Sequence, residues 1–292
     1  MRDVHASLPL LALMAVACSR GEPSGSFTET RTPHEILKAG GSSLAQIPGG
    51  GTIHIKCMGA GSPTVILTAG AGGSSWRKVQ PRIARLTRVC AWDRLGEGYS
   101  SEINQLRTAA ETSADLKAAL KATRTQGPFI AVGHSLGSYE SLLFKDEAPQ
   151  SVVGMVLVDP SIPDQFDRLA KVAPESRKLE PPIKDKPMID LLATSSRLVV
   201  NPKRNYGDMP LIVLTSTKEP EPPPGTPEVV IAEFSAGVAE MHRGHAELAA
   251  LSSRGVRRKV PNSRHNIQDD QPEAVIGAIN EVISATREKA VK

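Results

Sequence analysis

Short continuous apolar runs, separated by stretches of helical periodicity, organise this chain of 292 residues. Thr64–Thr68 (TVILT), residues 88–92 (RVCAW), residues 129–132 (FIAV), Val152–Val158 (VVGMVLV) and residues 211–214 (LIVL) read as strands buried on both faces. Residues 256–260 supply a last strand. Between them, residues 109–125 carry Leu116, Ala119 and Leu120 on one stripe with charges between, which predicts an amphipathic helix. Residues 76–86, 228–252 and 272–289 predict further helices, the last with Pro272 suitably placed near its start. Strand and helix alternate across 64–159, so right-handed crossovers and a parallel sheet covered on both faces are expected. Ahead of it, residues 44–47 and Thr52–Met58 flank Pro48-Gly49-Gly50-Gly51 and predict a hairpin.

The rhythm breaks after Asp159. Residues 162–172 and 189–200 predict helices separated by Pro181, Pro182 and Pro187, and a stretch of about 50 residues between two sheet strands exceeds what a crossover needs. Residues 160–209 are therefore expected to form a small cap over the strand ends, inserted in a core made of 44–159 and 210–292. The N-terminus has a different character. Arg2 precedes an apolar run over 8–16 that is too short to span a bilayer, and Ala15-Val16-Ala17 supplies the small residues that signal peptidase needs. Residues 1–17 read as a secretory signal and 18–43 as a flexible tether. The signal resembles a bacterial lipobox in which Cys18 becomes the lipidated first residue, with simple cleavage and release as the alternative. An exported protein is expected, whether periplasmic, extracellular or anchored to a membrane through Cys18.

Composition narrows the partners. The 35 basic residues exceed the 31 acidic ones only slightly and are dispersed along the chain, which gives nucleic-acid binding little support. Aromatic residues make up 3% of the chain, too few for base-stacking platforms or an aromatic carbohydrate groove. A small molecule is the expected partner.

The candidate chemistry centres on Gly133-His134-Ser135-Leu136-Gly137. The motif stands between the 129–132 strand and a helix marked by Tyr139, Leu142, Leu143 and Phe144. A serine on so sharp a turn needs small residues two positions to either side, where a Cβ would collide with neighbouring backbone. Such a turn exposes Oγ above the sheet and places the Leu136 N–H at a helix N-terminus, where it stabilises a developing oxyanion. The loop Ala69-Gly70-Ala71-Gly72-Gly73 after the TVILT strand lacks the dinucleotide and Walker patterns. An oxyanion role fits it better, with the Ala71 N–H as the second donor.

A serine nucleophile needs a base, and His265, five residues after the last strand, is the candidate. His5, His34, His54 and His134 are discounted by position. His242 and His245 lack a third ligand at recognisable spacing, so no metal is expected and they read as a solvated helix face. The carboxylate stays open between Asp159, which ends its strand at once, and Glu219, in an acidic proline-rich loop. Asp159 is preferred for its shorter side chain and fixed position.

The oxyanion loop, the Asp93-Arg94-x-Gly-x-Gly-x-Ser100 loop, the elbow, Asp159-Pro160-Ser161 and His265-Asn266-Ile267 with Pro272 together resemble the α/β-hydrolase superfamily across residues 44 to 287. The resemblance implies an α/β fold with an eight-stranded, mostly parallel sheet, helices on both faces and the cap after the sixth strand. It implies no cofactor. It also implies hydrolysis of a carboxylic ester through an acyl-enzyme, with amide, lactone or thioester hydrolysis, or ligand binding without catalysis, as alternatives. Ala69 departs from the His-Gly of many members. In such a sheet the strands bearing Cys57 and Cys90 are neighbours, so the two cysteines are expected either to oxidise to a disulfide or to remain as buried thiols.

Overall fold

In the computed structural model the described residues are 40–73, 76–177, 186–219, 221 and 225–291. The expected signal segment, Cys18 and most of the tether lie outside them. The described elements are β1 (Ser42–Gln46), β2 (Thr52–Met58), β3 (Thr64–Thr68), α1 (Gln80–Ile83), β4 (Val89–Trp92), α2 (Ala109–Ala122), β5 (Phe129–His134) and α3 (Gly137–Glu147). After these come β6 (Val152–Val158), α4 (Gln165–Val172), α5 (Pro174–Arg177), α6 (Lys186–Leu198), β7 (Leu211–Ser216), α7 (Glu228–Ala249), β8 (Gly255–Val260), α8 (Ile267–Asp270) and α9 (Pro272–Val291).

The strands form one eight-stranded sheet in the order β1-β2-β4-β3-β5-β6-β7-β8. β1 pairs with β2 and β2 with β4 antiparallel, and every later pair is parallel. The two-residue alternation of the strands divides the core. Ile66, Met155, Leu157, Leu211 and Val213 face one layer with Leu116 of α2, Leu142 of α3 and Leu248 of α7. Val65, Leu67, Val156, Val158 and Leu214 face the other, with Ile83 of α1 and Val275 and Ile279 of α9. Each aliphatic side chain enclosed this way contributes about 1.5–3 kcal/mol, and both faces must be covered to gain it.

Four differences from the expected elements have local causes. β1 begins at Ser42, because the seven-residue β2 offers partners to Ser42 and Ser43 at Lys56 and Ile55. The 76–86 helix shrinks to Gln80–Ile83, with Pro81 in its first turn and looser turns on either side. α4 starts only at Gln165, since Asp164 takes a left-handed φ of 57° and the Ile162 N–H donates to the Gln165 side chain. β7 runs two residues past Leu214, to Ser216, in register with β8. Between β6 and β7, α4 and α5 lie against α7, and α6 lies against α2 and α4. Arg168 of α4 bridges to Glu240 and Glu247 of α7, and the Ala109 N–H opening α2 donates to Ser195 of α6.

Candidate active site

Ser135 takes φ 50° between β5 and α3. That left-handed conformation costs a residue with a Cβ of order 1 kcal/mol or more and persists only where its surroundings impose it. They do so here through the main chain. The Ser135 N–H donates to the Val158 carbonyl at 3.1 Å, and the Ser135 carbonyl accepts from the N–H of Ser138 at 3.0 Å and of Ser161 at 3.1 Å. The flanking glycines are sterically required: a Cβ on Gly133 would stand 2.4 Å from the Gly137 carbonyl oxygen, and one on Gly137 2.5 Å from those of Thr68 and Ala69. Leu136 directly precedes α3, so its N–H lies at the positive end of the helix.

His265 Nδ1 stands 2.8 Å from Asp159 Oδ2. Asp159 is itself at φ 42°. Its carboxylate accepts from the Ser216 N–H at 2.8 Å and from Ser216 Oγ at 2.9 Å. Burial alone would raise its pKa, but the hydrogen bond and charge of His265, then His245 and the Ser216 N–H, hold it well below the usual carboxylate range. An ionised carboxylate only accepts, so the shared proton sits on His265 Nδ1 and leaves Nε2 with its lone pair. Glu219, the other candidate carboxylate, lies 3.6 Å from His242 Nε2. Burial and the charge of Asp159 raise its pKa.

His134, discounted from the sequence, lies against His265. Its ring centroid is 4.7 Å from that of His265, and its Nε2 donates to the His265 carbonyl at 3.1 Å. Burial, reinforced by the charge of His265, lowers its pKa to about 3, so the ring stays neutral and steadies the loop.

The loop expected to supply an oxyanion donor, residues 69–73, is held by Arg94, another residue whose role the sequence does not disclose. Its guanidinium donates to the Ala69 carbonyl at 2.7 Å and the Gly70 carbonyl at 3.0 Å, while Nε donates to Glu140 of α3 at 2.7 Å. Burial works against the charge of Arg94, but Glu140 and Glu97 outweigh it and raise the pKa further above its ordinary value. A buried pair of this kind locks the loop preceding Ala71 to the elbow helix. Gly70 meets the elbow itself, since a Cβ there would lie 3.1 Å from Ser135 Cβ. The signal for this pair is a glutamate, Glu140, inside an otherwise apolar helix stripe.

The remaining candidates fall elsewhere. His245 is 2% exposed, which corrects its reading as part of a solvated helix face, whereas His242 is only half-buried. The buried face of α7 carries Glu233, Glu240 and His245, so apolar periodicity does not mark it. His54 pairs with Asp93 at 2.8 Å. Cys57 and Cys90 face each other across β2 and β4 and are joined as a disulfide. Among the described residues there is no cluster of three or more His, Cys, Asp or Glu suited to a metal ion, and no helix is long and apolar enough to cross a membrane.

The sheet order, with two antiparallel pairs followed by parallel ones, is that of the α/β-hydrolase fold. The family model described as alpha/beta hydrolase fold matches residues 63–188. Among relatives, the uncharacterized protein YqjL of Bacillus subtilis is 29% identical over 247 residues, covering 82% of this chain and 90% of that protein. Lipase LipV of Mycobacterium tuberculosis is 28% identical over 123 residues, 41% of this chain and 46% of LipV. The structure of a thermophilic esterase from Thermogutta terrifontis superimposes with a TM-score of 0.59 at 17% identity, covering 84% of this chain and 98% of the esterase.

Proposed function

We propose that the protein is a serine hydrolase of carboxylic esters working through an acyl-enzyme. The observation that carries this reading is the 2.8 Å contact between His265 Nδ1 and the buried Asp159 carboxylate. With Nδ1 protonated, Nε2 acts as the base. It takes the Ser135 proton as Oγ attacks the ester carbonyl, and Asp159 stabilises the imidazolium that forms. The N–H groups of Leu136 and Ala71 receive the oxyanion, a contribution of about 10²–10³ in rate for each such donor. The imidazolium then protonates the leaving alcohol. Water repeats the sequence, and the acid is released.

A serine at the elbow supports acyl transfer over the alkyl-enzyme route that an aspartate would open. The test is turnover of p-nitrophenyl butyrate by the Ser135→Ala variant. A loss of about 10⁴-fold or more in kcat is expected, with the thermal midpoint little changed; unchanged turnover would overturn the reading. The Cys57–Cys90 disulfide supports work outside the cytoplasm. Intact-mass measurement of the protein from its native membrane fraction, showing a diacylglyceryl group on Cys18, distinguishes anchoring from release.

A further inference from the structure

His245 is enclosed beside this site and has no part in the acyl-transfer steps, yet the direction of each of its hydrogen bonds is determined. The Pro160 carbonyl can only accept, so His245 Nε2 carries the proton in their 2.8 Å contact. Arg257 can only donate, so Thr215 Oγ1 accepts from Arg257 Nε at 3.0 Å and has its own proton for His245 Nδ1, also 3.0 Å away. With its pKa lowered the ring is a neutral imidazole, so Nδ1 accepts from Thr215 and Nε2 donates to Pro160, and both nitrogens are in use. Burial, the largest influence, keeps its pKa down at about 4. The charged and titratable groups facing it are Asp159 from the end of β6, Arg257 from β8 and His242 from its own helix.

What Nε2 grips is the peptide between the candidate acid and the candidate nucleophile. Asp159, at φ 42°, precedes Pro160. Ser161 follows it, with its N–H on the Ser135 carbonyl at 3.1 Å and its carbonyl on Ser138 Oγ at 2.8 Å. Successive residues of β7 hold this turn in two ways. Ser216 binds the Asp159 carboxylate directly, at 2.8 and 2.9 Å, and Thr215 reaches the next peptide through His245.

We propose that His245 is a positioning residue for acyl transfer, in which the relay Arg257–Thr215–His245–Pro160 fixes the turn that aims Asp159 at His265 and ties it to the elbow. The proposal rests on the serine-hydrolase reading. Loss of the relay would let the Asp159 turn relax from its left-handed conformation without removing any group that touches substrate.

The experiment compares His245→Leu, His245→Gln and Thr215→Val by steady-state kinetics on p-nitrophenyl butyrate, thermal midpoint, and the low-field proton resonance of the His265–Asp159 hydrogen bond. His245→Leu is expected to lower kcat by about 30-fold with KM changed less than about twofold, and to shift or broaden the low-field proton. Glutamine can accept from Thr215 and donate to Pro160, so His245→Gln should stay within about threefold of wild type. Thr215→Val falls between them, at about fivefold. A folded His245→Leu protein with wild-type kcat and an unmoved low-field proton would overturn the proposal, as would equal losses in the leucine and glutamine variants. If the leucine variant does not fold, Thr215→Val decides by the same two readouts. Failure of the hydrolase reading looks different: Ser135→Ala then turns over ester as fast as wild type, or wild type turns over none. The resonance comparison still reports whether His245 positions Asp159.

Discussion

His54 Nδ1 meets Asp93 Oδ2 at 2.8 Å, and His265 Nδ1 meets Asp159 Oδ2 at the same distance. His54 Nε2 even lies 3.2 Å from Ser42 Oγ, so the β1–β4 half of the sheet carries its own serine–histidine–aspartate string. The difference lies in the backbone that presents each serine. Ser42 sits in an extended edge strand paired with Lys56, whereas Ser135 stands at φ 50° where a buried strand turns into a helix. Asp93 also accepts from the Tyr99 N–H, and Ser100 bonds both the Asp93 carbonyl and the His54 N–H. That arrangement fastens the loop after β4 to β2. Three side-chain types at hydrogen-bond distance thus define a bond network, and under the proposed function only the one beside the elbow has a backbone turn that suits a nucleophile.

Equivalent substitutions in the two aspartates give the largest contrast. Asp159→Asn should lower kcat on p-nitrophenyl butyrate by about 10⁴-fold, because an amide donating to Nδ1 imposes the wrong tautomer on His265. Asp93→Asn should leave kcat within about threefold and cost about 1–2 kcal/mol of stability, read from urea midpoints. A comparable loss of kcat in both would dissolve the distinction.

Acid acts on the elbow half through two buried rings. On the elbow side His134 and His245 are buried neutral, with pKa values lowered to about 3 and about 4. Both lie below the ~6.5 of an unfolded histidine, so the unfolded chain binds the protons first and stability falls as pH drops from about 6.5 towards 4. The slope approaches two protons, on the order of 2–3 kcal/mol per pH unit at its steepest. Asp159, held low, adds its own loss only below the normal carboxylate value of about 3.8, where the unfolded carboxylate begins to protonate. Urea titrations at pH 7, 6 and 5 check this, and His245→Gln should remove about one proton from the slope. A stability flat from pH 7 to 5 would show that these rings are not held neutral.

Legibility from sequence follows the same division. Thr64–Thr68 and Val152–Val158 are readable to the residue, because buried strands are continuous apolar or β-branched runs, and Thr52–Met58 is readable because Gly51 and Gly59 bound it. Ser135 and His265 are readable as candidates because their signals are local, a glycine-flanked serine and a histidine between the last strand and the last helix. The choice between Asp159 and Glu219 is not, since both loops open at the same sheet edge and the Ser216 contacts lie 57 residues from Asp159. Arg94, His134 and His245 are hidden for a related reason. Each is a polar residue whose partners come from distant segments, and periodicity records apolar faces only. The Cys57–Cys90 pairing becomes readable only once a sheet order is supposed, because antiparallel register sets the two opposite each other.

That disulfide belongs to the fastening half. It closes a sequence separation of 33 residues between the strands that His54 and Asp93 also link. Replacing both cysteines by alanine should cost about 2–4 kcal/mol, by lost restriction of the unfolded chain, while kcat stays within about twofold. A variant of full stability, or one with a large loss of kcat, would mean that the β2–β4 junction does something other than brace the sheet.

Ser42→Ala is the smallest change and tests the comparison most sharply. Ser42 Oγ is the third member of the His54–Asp93 string, in the place that a nucleophile would hold. If the string is a fastener, removing a half-buried hydroxyl costs one net hydrogen bond, about 0.5–1.5 kcal/mol. The kcat and KM for p-nitrophenyl butyrate should then match wild type, and a fluorophosphonate should label Ser42→Ala as fully as the parent and Ser135→Ala not at all. The physical ground is the strand itself. An extended serine whose residue pairs across to Lys56 has neither a helix N-terminus beside it nor a left-handed strand-to-helix turn. Residual labelling of Ser135→Ala that disappears when Ser42 is also replaced would reverse this assignment.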